Sequence, residues 1–205
     1  MNIMKIPSEW SRLQGESGPP EPQSIGWTRI ATQTLHEGRF LTLCNDTVVR
    51  PDGSQGTYEH VAVNDSVRVV ALTDENQVVL VEDHFYLQGP RVLHLPGGGC
   101  GGQEPEVAAR RELEEETGLV PEAMVPLAVI DPLPGMTAAR THLYVARGLT
   151  PGTVSRDDTE AGMTVMRWPL DTAVAAVYNG VITEAGSVAA LLLTHCSQSQ
   201  HQSTT

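Results

Sequence analysis

The chain has 205 residues, and 13 lysines and arginines against 25 aspartates and glutamates leave it at −12 at pH 7. That length carries one domain, or one domain with a small added sheet. That charge excludes a nucleic-acid backbone as partner, because phosphodiesters are held by basic surfaces. A small polyanionic substrate would have to be met together with metal. No apolar run approaches the ~18 residues of a membrane span, and the first residues lack the apolar core of a signal peptide. Cys44, Cys100 and Cys196 are widely spaced with no CxxC pair. They suit a reducing cytoplasm rather than a disulfide scaffold or a zinc site.

Residues 1–24, with Pro19, Pro20 and Pro22, read as an irregular arm. Residues 25–63 hold three strand-like runs, WTRIATQTL, RFLTLCNDTVV and TYEHVAV, and Pro51-Asp52-Gly53 turns the second into the third as a hairpin. A core domain over residues 64–196 follows. SVRVVALT and QVVLVEDHF are continuous apolar strands around the turn Asp74-Glu75-Asn76. MVPLAVID, THLYVARGL and GMTVMRWPL read as later strands. LDTAVAAVYNG and SVAALLLTHC have helical spacing, each with an Asp or Ser suited to capping its start. Residues 197–205 read as a disordered polar tail, and no internal repeat is evident.

Between these strands lies GGGCGGQEPEVAARRELEEETGL, residues 97–119. Pro105 falls in the first turn of a helix, where a missing amide donor costs nothing, and Gly118 can end that helix as a left-handed cap, with Pro121 beyond it. Ala108, Ala109 and Leu113 form an apolar side that can pack on a sheet. Glu112, Glu115 and Glu116 lie at i, i+3 and i+4, so their carboxylates share a face. Like charges so placed weaken a helix by about 0.2–0.5 kcal/mol per pair. No lysine or arginine relieves them between 112 and 119. A solvated acidic face is the plainer account of a charge run, but glycines flank this one at defined distances. Clustered hard oxygen ligands are what Mg²⁺ or Mn²⁺ takes, particularly beside phosphates. The glycines from Gly97 to Gly102 let backbone approach phosphate, with Cys100 among them as a small filler. Arg111 is placed to hold a carboxylate through a bidentate bond.

This stretch resembles the Nudix box, Gly-x5-Glu-x7-Arg-Glu-U-x-Glu-Glu-x-Gly-U, where U is a bulky aliphatic residue. Gly97, Arg111, Glu112, Leu113, Glu115, Glu116, Gly118 and Leu119 match, and Gln103 stands where the pattern has Glu, with Glu104 beside it. GRF at 38–40, PDG at 51–53, YEHV, VVLVE at 78–82, LPGG, PGMT at 134–137, RWPL at 167–170 and NGVI at 179–182 resemble the ADP-ribose pyrophosphatase branch of the Nudix hydrolases, as does Pro134 about sixteen residues past the box. The resemblance implies an α/β Nudix fold, a mixed β-sheet sandwiched between helices (α/β/α), with an additional N-terminal antiparallel sheet that makes a homodimer. It implies metal-dependent hydrolysis of a nucleoside diphosphate linked to another moiety, with ADP-ribose giving AMP and ribose 5-phosphate. Mg²⁺ or Mn²⁺ would be held by Glu112, Glu115, Glu116 and the carbonyl near Gly97, with Arg111 fixing a box glutamate. A glutamate on the acidic loop 155–161, Glu160 before Asp158, would take the proton of the attacking water, with Glu115 as the alternative base. Gly98, Gly99, Met136, Arg140 and Trp27 would meet the substrate; Trp27 and Phe40 can equally serve packing.

Two further departures leave the sugar open: Phe85 stands where the branch has an arginine, and Ala139 where it has a glutamate. His60, His84, His94 and His142 lack metal-ligand spacing and read as structural, although His84 is near the expected cleft. The alternatives are a hydrolase of another nucleotide sugar or of (d)NTPs, and a Nudix-fold sensor that binds without turnover. The intact box glutamates and the absence of a basic DNA-binding segment argue against the sensor.

Overall fold

The structure is a computed structural model and describes residues 26–89, 91–154 and 162–202. The hairpin forms as the sequence directs. β2 (Thr42–Val49) turns at Asp52, whose carboxylate accepts the Ser54 amide at 2.9 Å and hydroxyl at 2.7 Å, while Gly53 takes φ 83°. β3 (Gln55–Ala62) returns antiparallel, and β1 (Thr28–Glu37) pairs on the far side of β2, giving the order β1-β2-β3. Every residue of β1 is exposed. The N-terminal antiparallel sheet therefore has a bare edge.

β4 (Ser66–Ala71) turns into β5 (Gln77–His84) through Asn76 at φ 58°, a left-handed position that asparagine tolerates better than most residues. β6 (Arg91–His94) pairs antiparallel with β5 and leads into Pro96 and the glycines. The box helix α1 runs Pro105–Thr117, with proline in its first turn and Gly118 closing it at φ 68°. β7 (Leu119–Ile130) starts at once rather than at Met124, because Gly118 reverses the chain and its carbonyl accepts the Gly152 amide at 2.7 Å. β8 (Thr141–Pro151), β9 (Thr164–Pro169), α2 (Leu170–Tyr178) and α3 (Ala185–Gln202) complete the order.

β4 pairs parallel with β8 and β7 antiparallel with β8, which makes a mixed sheet; β6-β5-β9 forms a second, antiparallel one. Alternation along β4 decides the layers. Val67, Val69 and Ala71 pack with Ala108, Ala109 and Leu113 of α1, whereas Val70 joins Leu170, Ala173 and Leu191 from α2 and α3. Helices thus cover both faces, giving the expected α/β/α sandwich. Fully burying each such Val or Leu contributes about 1.5–3 kcal/mol.

Two local expectations need correction. Helix α3 extends through Gln202, so residues 197–202 are helical and not a disordered tail. Three of these polar side chains find partners: Ser197 Oγ donates to the Thr194 carbonyl at 2.8 Å, Ser199 Oγ to that of His195 at 3.0 Å, and the Gln198 amide to Asn76 Oδ1 at 3.0 Å. The start of α3 is capped by Glu184 rather than by Ser187, which sits inside the first turn. The arm 1–24 lies outside the described residues.

Candidate active site

The glycine run crosses the end of β4 at very short range. The Pro96 and Gly98 carbonyls accept the amides of Val69 and Val67, both at 2.9 Å. Between them Gly97, at φ 142°, lies so near that a Cβ would stand 2.2 Å from the Val67 carbonyl oxygen. Only glycine fits there. The Gly97 amide points to the box and donates to Glu116 Oε2 at 3.0 Å. A Cβ on Gly98 would meet the Glu112 carboxylate at 2.7 Å, so loop and helix are in direct contact.

Arg111 is the hub. One guanidinium nitrogen donates to Glu115 at 2.7 Å; a second donates to Glu112 at 2.8 Å and to the Gly99 carbonyl at 3.2 Å; Nε donates to Gln103 Oε1 at 2.9 Å. Gln103 therefore keeps the acceptor that the box places there but not its charge. Burial disfavours the Arg111 cation, yet Glu112 and Glu115 outweigh it and push its pKa up. Glu112 and Glu116 are buried at 8% and 3% exposure, whereas Glu115 is half-buried. Carboxylates buried like those of Glu112 and Glu116 need such partners. Cys100 is buried in the same loop and burial pushes its thiol pKa up, which leaves it a filler and not a nucleophile.

Arg111, Glu112, Glu115, Glu116, Gly97, Gly98 and Gly99 thus form one continuous constellation. Its donor set, three carboxylates beside backbone carbonyls, fits Mg²⁺ or Mn²⁺ in chemical kind. Among the described residues, no three acid, thiol or imidazole groups are drawn together at metal-ligand spacing. The reason is local: Arg111 holds Glu115 and Glu112, and the Gly97 amide holds Glu116.

Arg140, Met136 and Trp27 lie in a second group, joined to the glycine loop through Asp65. That residue was not singled out by the sequence. Its backbone carbonyl accepts the Cys100 amide at 2.7 Å, and its carboxylate accepts the Arg140 amide at 2.9 Å and sits 2.9 Å from His142 Nε2. The Arg140 amide and His142 hold the Asp65 pKa below its ordinary value. The glycine loop and the 131–140 loop are therefore tied through one residue, by its backbone on one side and its carboxylate on the other, and a cleft of about 330 Å³ opens between residues 63–65 and Cys100, Gln103 and Pro105. Arg140 and Met136 are exposed on the second loop. Tyr58 donates to the Gly135 carbonyl at 2.9 Å and meets Trp27 edge-on at 5.4 Å, while the Val61 amide donates to the Met136 carbonyl at 2.9 Å. Trp27 and Met136 are thus brought to one place by β3, apart from the carboxylates in the hydrogen-bond pattern. Phe85 stacks on buried His94 with centroids 5.0 Å apart. Glu160 and Asp158 lie outside the described residues.

The sequence patterns of known proteins agree with this layout. The NUDIX domain matches residues 63–180, and the nucleoside diphosphate sugar hydrolase N-terminal domain matches residues 27–61. An ADP-ribose pyrophosphatase of Mycobacterium tuberculosis is 32% identical over 169 residues, covering 81% of this chain and 82% of that protein. A CMP-5'-(N-acetyl-N-hydroxy-3-aminopropyl)phosphonate hydrolase of Streptomyces rubellomurinus is 30% identical over 168 residues, 81% of each chain. In fold, the crystal structure of an ADP compounds hydrolase superposes with a TM-score of 0.76 at 22% identity, over 85% of this chain and 95% of that one. The chain belongs to the Nudix family of pyrophosphohydrolases, with the nucleoside diphosphate sugar hydrolase N-terminal domain ahead of its box.

Proposed function

We propose that this Nudix enzyme cleaves the diphosphate of ADP-ribose, giving AMP and ribose 5-phosphate. The observation that carries the reading is the contact of the glycine loop with the box glutamates: Gly97 donating to Glu116, and Arg111 joining Glu112, Glu115 and Gly99. The N-terminal sheet supports a nucleoside diphosphate linked to a second moiety, since Tyr58 touches Trp27 and bonds the loop that carries Met136 and Arg140.

Glu112, Glu115, Glu116 and the Gly97 carbonyl would hold Mg²⁺ or Mn²⁺, which when bound neutralises diphosphate charge and acidifies a water. The residues themselves supply the rest. Arg111 orients two carboxylates with fixed fork geometry. The glycines let backbone approach the diphosphate without steric obstruction. Glu160 takes the proton of the attacking water, with Asp158 next and Glu115 as the alternative on the helix.

We infer a homodimer through the N-terminal sheet. Three strands with an exposed edge need a partner surface, and Ile30 and Leu35 of β1, with Trp27 just before it, are each about half exposed. A monomeric mass at micromolar concentration rules this out. The free thiols of Cys44, Cys100 and Cys196 support a cytoplasmic setting. Among the described residues no helix is long and apolar enough to cross a membrane. The Phe85–His94 stack, where the branch carries an arginine, favours a second reading in which another nucleotide sugar is preferred.

One screen separates these readings: ADP-ribose, ADP-glucose, GDP-mannose, diadenosine polyphosphates and dGTP with Mg²⁺, following products by chromatography. ADP-ribose should give the highest kcat/KM and release AMP. A dGTP preference, or binding without turnover, refutes the proposal.

A further inference from the structure

Behind the glycine loop runs a polar chain that the box does not include. Glu184 stands just before α3; its Oε1 accepts the Gly186 amide at 3.0 Å, and its Oε2 accepts the Ser187 amide and hydroxyl, both at 2.7 Å. Arg68 reaches over from β4 and donates Nε to the same Oε2 at 3.1 Å and another nitrogen to the Val67 carbonyl at 2.8 Å. Ser187, fully buried, accepts the Leu95 amide at 2.9 Å through its hydroxyl. Hydrogen bonds therefore link the carbonyl of Val67, Arg68, Glu184, Ser187 and the amide of Leu95.

Both ends of this chain meet the same loop. The Val67 carbonyl is the group over which Gly97 passes, and Leu95 lies two residues before Gly97. A Cβ on Gly186 would stand 2.9 Å from Arg68 Cγ, so a glycine lets the arginine cross the helix start. A largely buried ion pair is seldom the cheapest filling for a core, because desolvation cancels much of its attraction. Its use here is geometric. We propose that Arg68, Glu184 and Ser187 are positioning residues that set the height of the glycine loop over β4, and with it the Gly97–Glu116 bond. This rests on the reading of Glu116 as a metal-binding glutamate, and it adds residues 68, 184 and 187 to the machinery of that site.

Ser187→Ala in the full chain is the test, since alanine fits the space and removes the acceptor for Leu95. In ¹⁵N NMR spectra of the substrate-free protein, the Gly97 and Gly98 amides should shift and Leu95 should exchange faster. Mn²⁺ affinity by calorimetry, without substrate, should fall about 10-fold, as when partners behind metal ligands are lost. Glu184→Gln keeps the side-chain shape but only one of the two acceptor oxygens, and it removes the charge facing Arg68; it should shift the same glycine amides and carries the test if Ser187→Ala does not fold. A lower Tm with unmoved Gly97 and Gly98 resonances and unchanged Mn²⁺ affinity overturns the proposal. The amide shifts are read without substrate, so an enzyme inactive on every nucleotide sugar would sink the proposed function and leave this test intact.

Discussion

Gly97→Ala concentrates the consequences of the loop geometry in one methyl group. Its Cβ would lie 2.2 Å from the Val67 oxygen, 2.9 Å from the Val67 carbonyl carbon and 3.1 Å from Arg68 Cα, all backbone atoms that cannot swing aside. Relief to ordinary contact requires the loop to lift by roughly 1 Å. Three bonds oppose that lift: Gly97 to Glu116 at 3.0 Å, and Pro96 and Gly98 to β4 at 2.9 Å each. Losing two costs about 2 kcal/mol, and holding alanine in a φ region reserved for glycine adds about 1–3 kcal/mol. The variant should lose about 3–5 kcal/mol by urea unfolding, and roughly 10 °C of Tm for a chain of this size. Gly99→Ala is the matched control, since nothing lies within 4 Å of its Cβ and its φ is unremarkable; it should stay within about 0.5 kcal/mol of the parent. Equal stability of the two variants refutes the close-approach reasoning.

Gly98→Ala should separate folding from function, because its Cβ meets the movable Glu112 carboxylate rather than backbone; Tm should fall little while kcat/KM drops at least ~10-fold through loss of the Arg111–Glu112 geometry. Glu116→Gln keeps an acceptor for the Gly97 amide but removes a charge, so turnover should fall by orders of magnitude with Tm level or higher; retention of more than about a tenth of activity refutes its role. Glu160→Gln should lower kcat by ~10²–10⁴ with little change in KM or Mg²⁺ dependence. If Glu115→Gln takes that loss instead, the base is on the helix. Burial pushes the Glu184 pKa up, but Arg68 and the α3 amides overcome it and hold the group below its ordinary 4.5. Its stabilisation is therefore present above 4.5 and lost as pH falls through the lower folded value, and Glu184→Gln should flatten the acid limb of a denaturation-versus-pH profile.

What the sequence made legible was local. Pro105 and Gly118 punctuate α1, Asp52 and Gly53 specify the hairpin, and the 3.6 period of Ala108, Ala109 and Leu113 against the 2.0 period of Val67, Val69 and Ala71 fixes which faces meet. β6 escaped because four residues, RVLH, are too short to display a period. The supports of the site escaped for a different reason. Asp65 bonds Arg140 and His142 75 and 77 residues away, Leu95 bonds Ser187 across 92, and Arg68 bonds Glu184 across 116. Such pairings leave no spacing to read. The tail misled because serines and glutamines read as disordered until their helix carbonyls and Asn76 supply partners.

Gln103 shows how this box tolerates its one departure. The side chain at that position has two tasks, to accept from Arg111 Nε and to add negative charge beside the glutamates. Gln103 performs the first at 2.9 Å and drops the second. Arg111 then faces two carboxylates, Glu112 and Glu115, instead of three, and each keeps its own guanidinium nitrogen. Because the fork geometry depends on acceptors and not on their charge, Arg111 still fixes the spacing of helix and glycine loop. The field felt by a divalent cation depends on charge and falls with each carboxylate removed. Position 103 can therefore vary between Glu and Gln without disturbing the architecture, whereas Arg111 cannot be exchanged even for lysine, whose point charge lacks the fork that reaches Gln103, Glu112, Glu115 and Gly99 together.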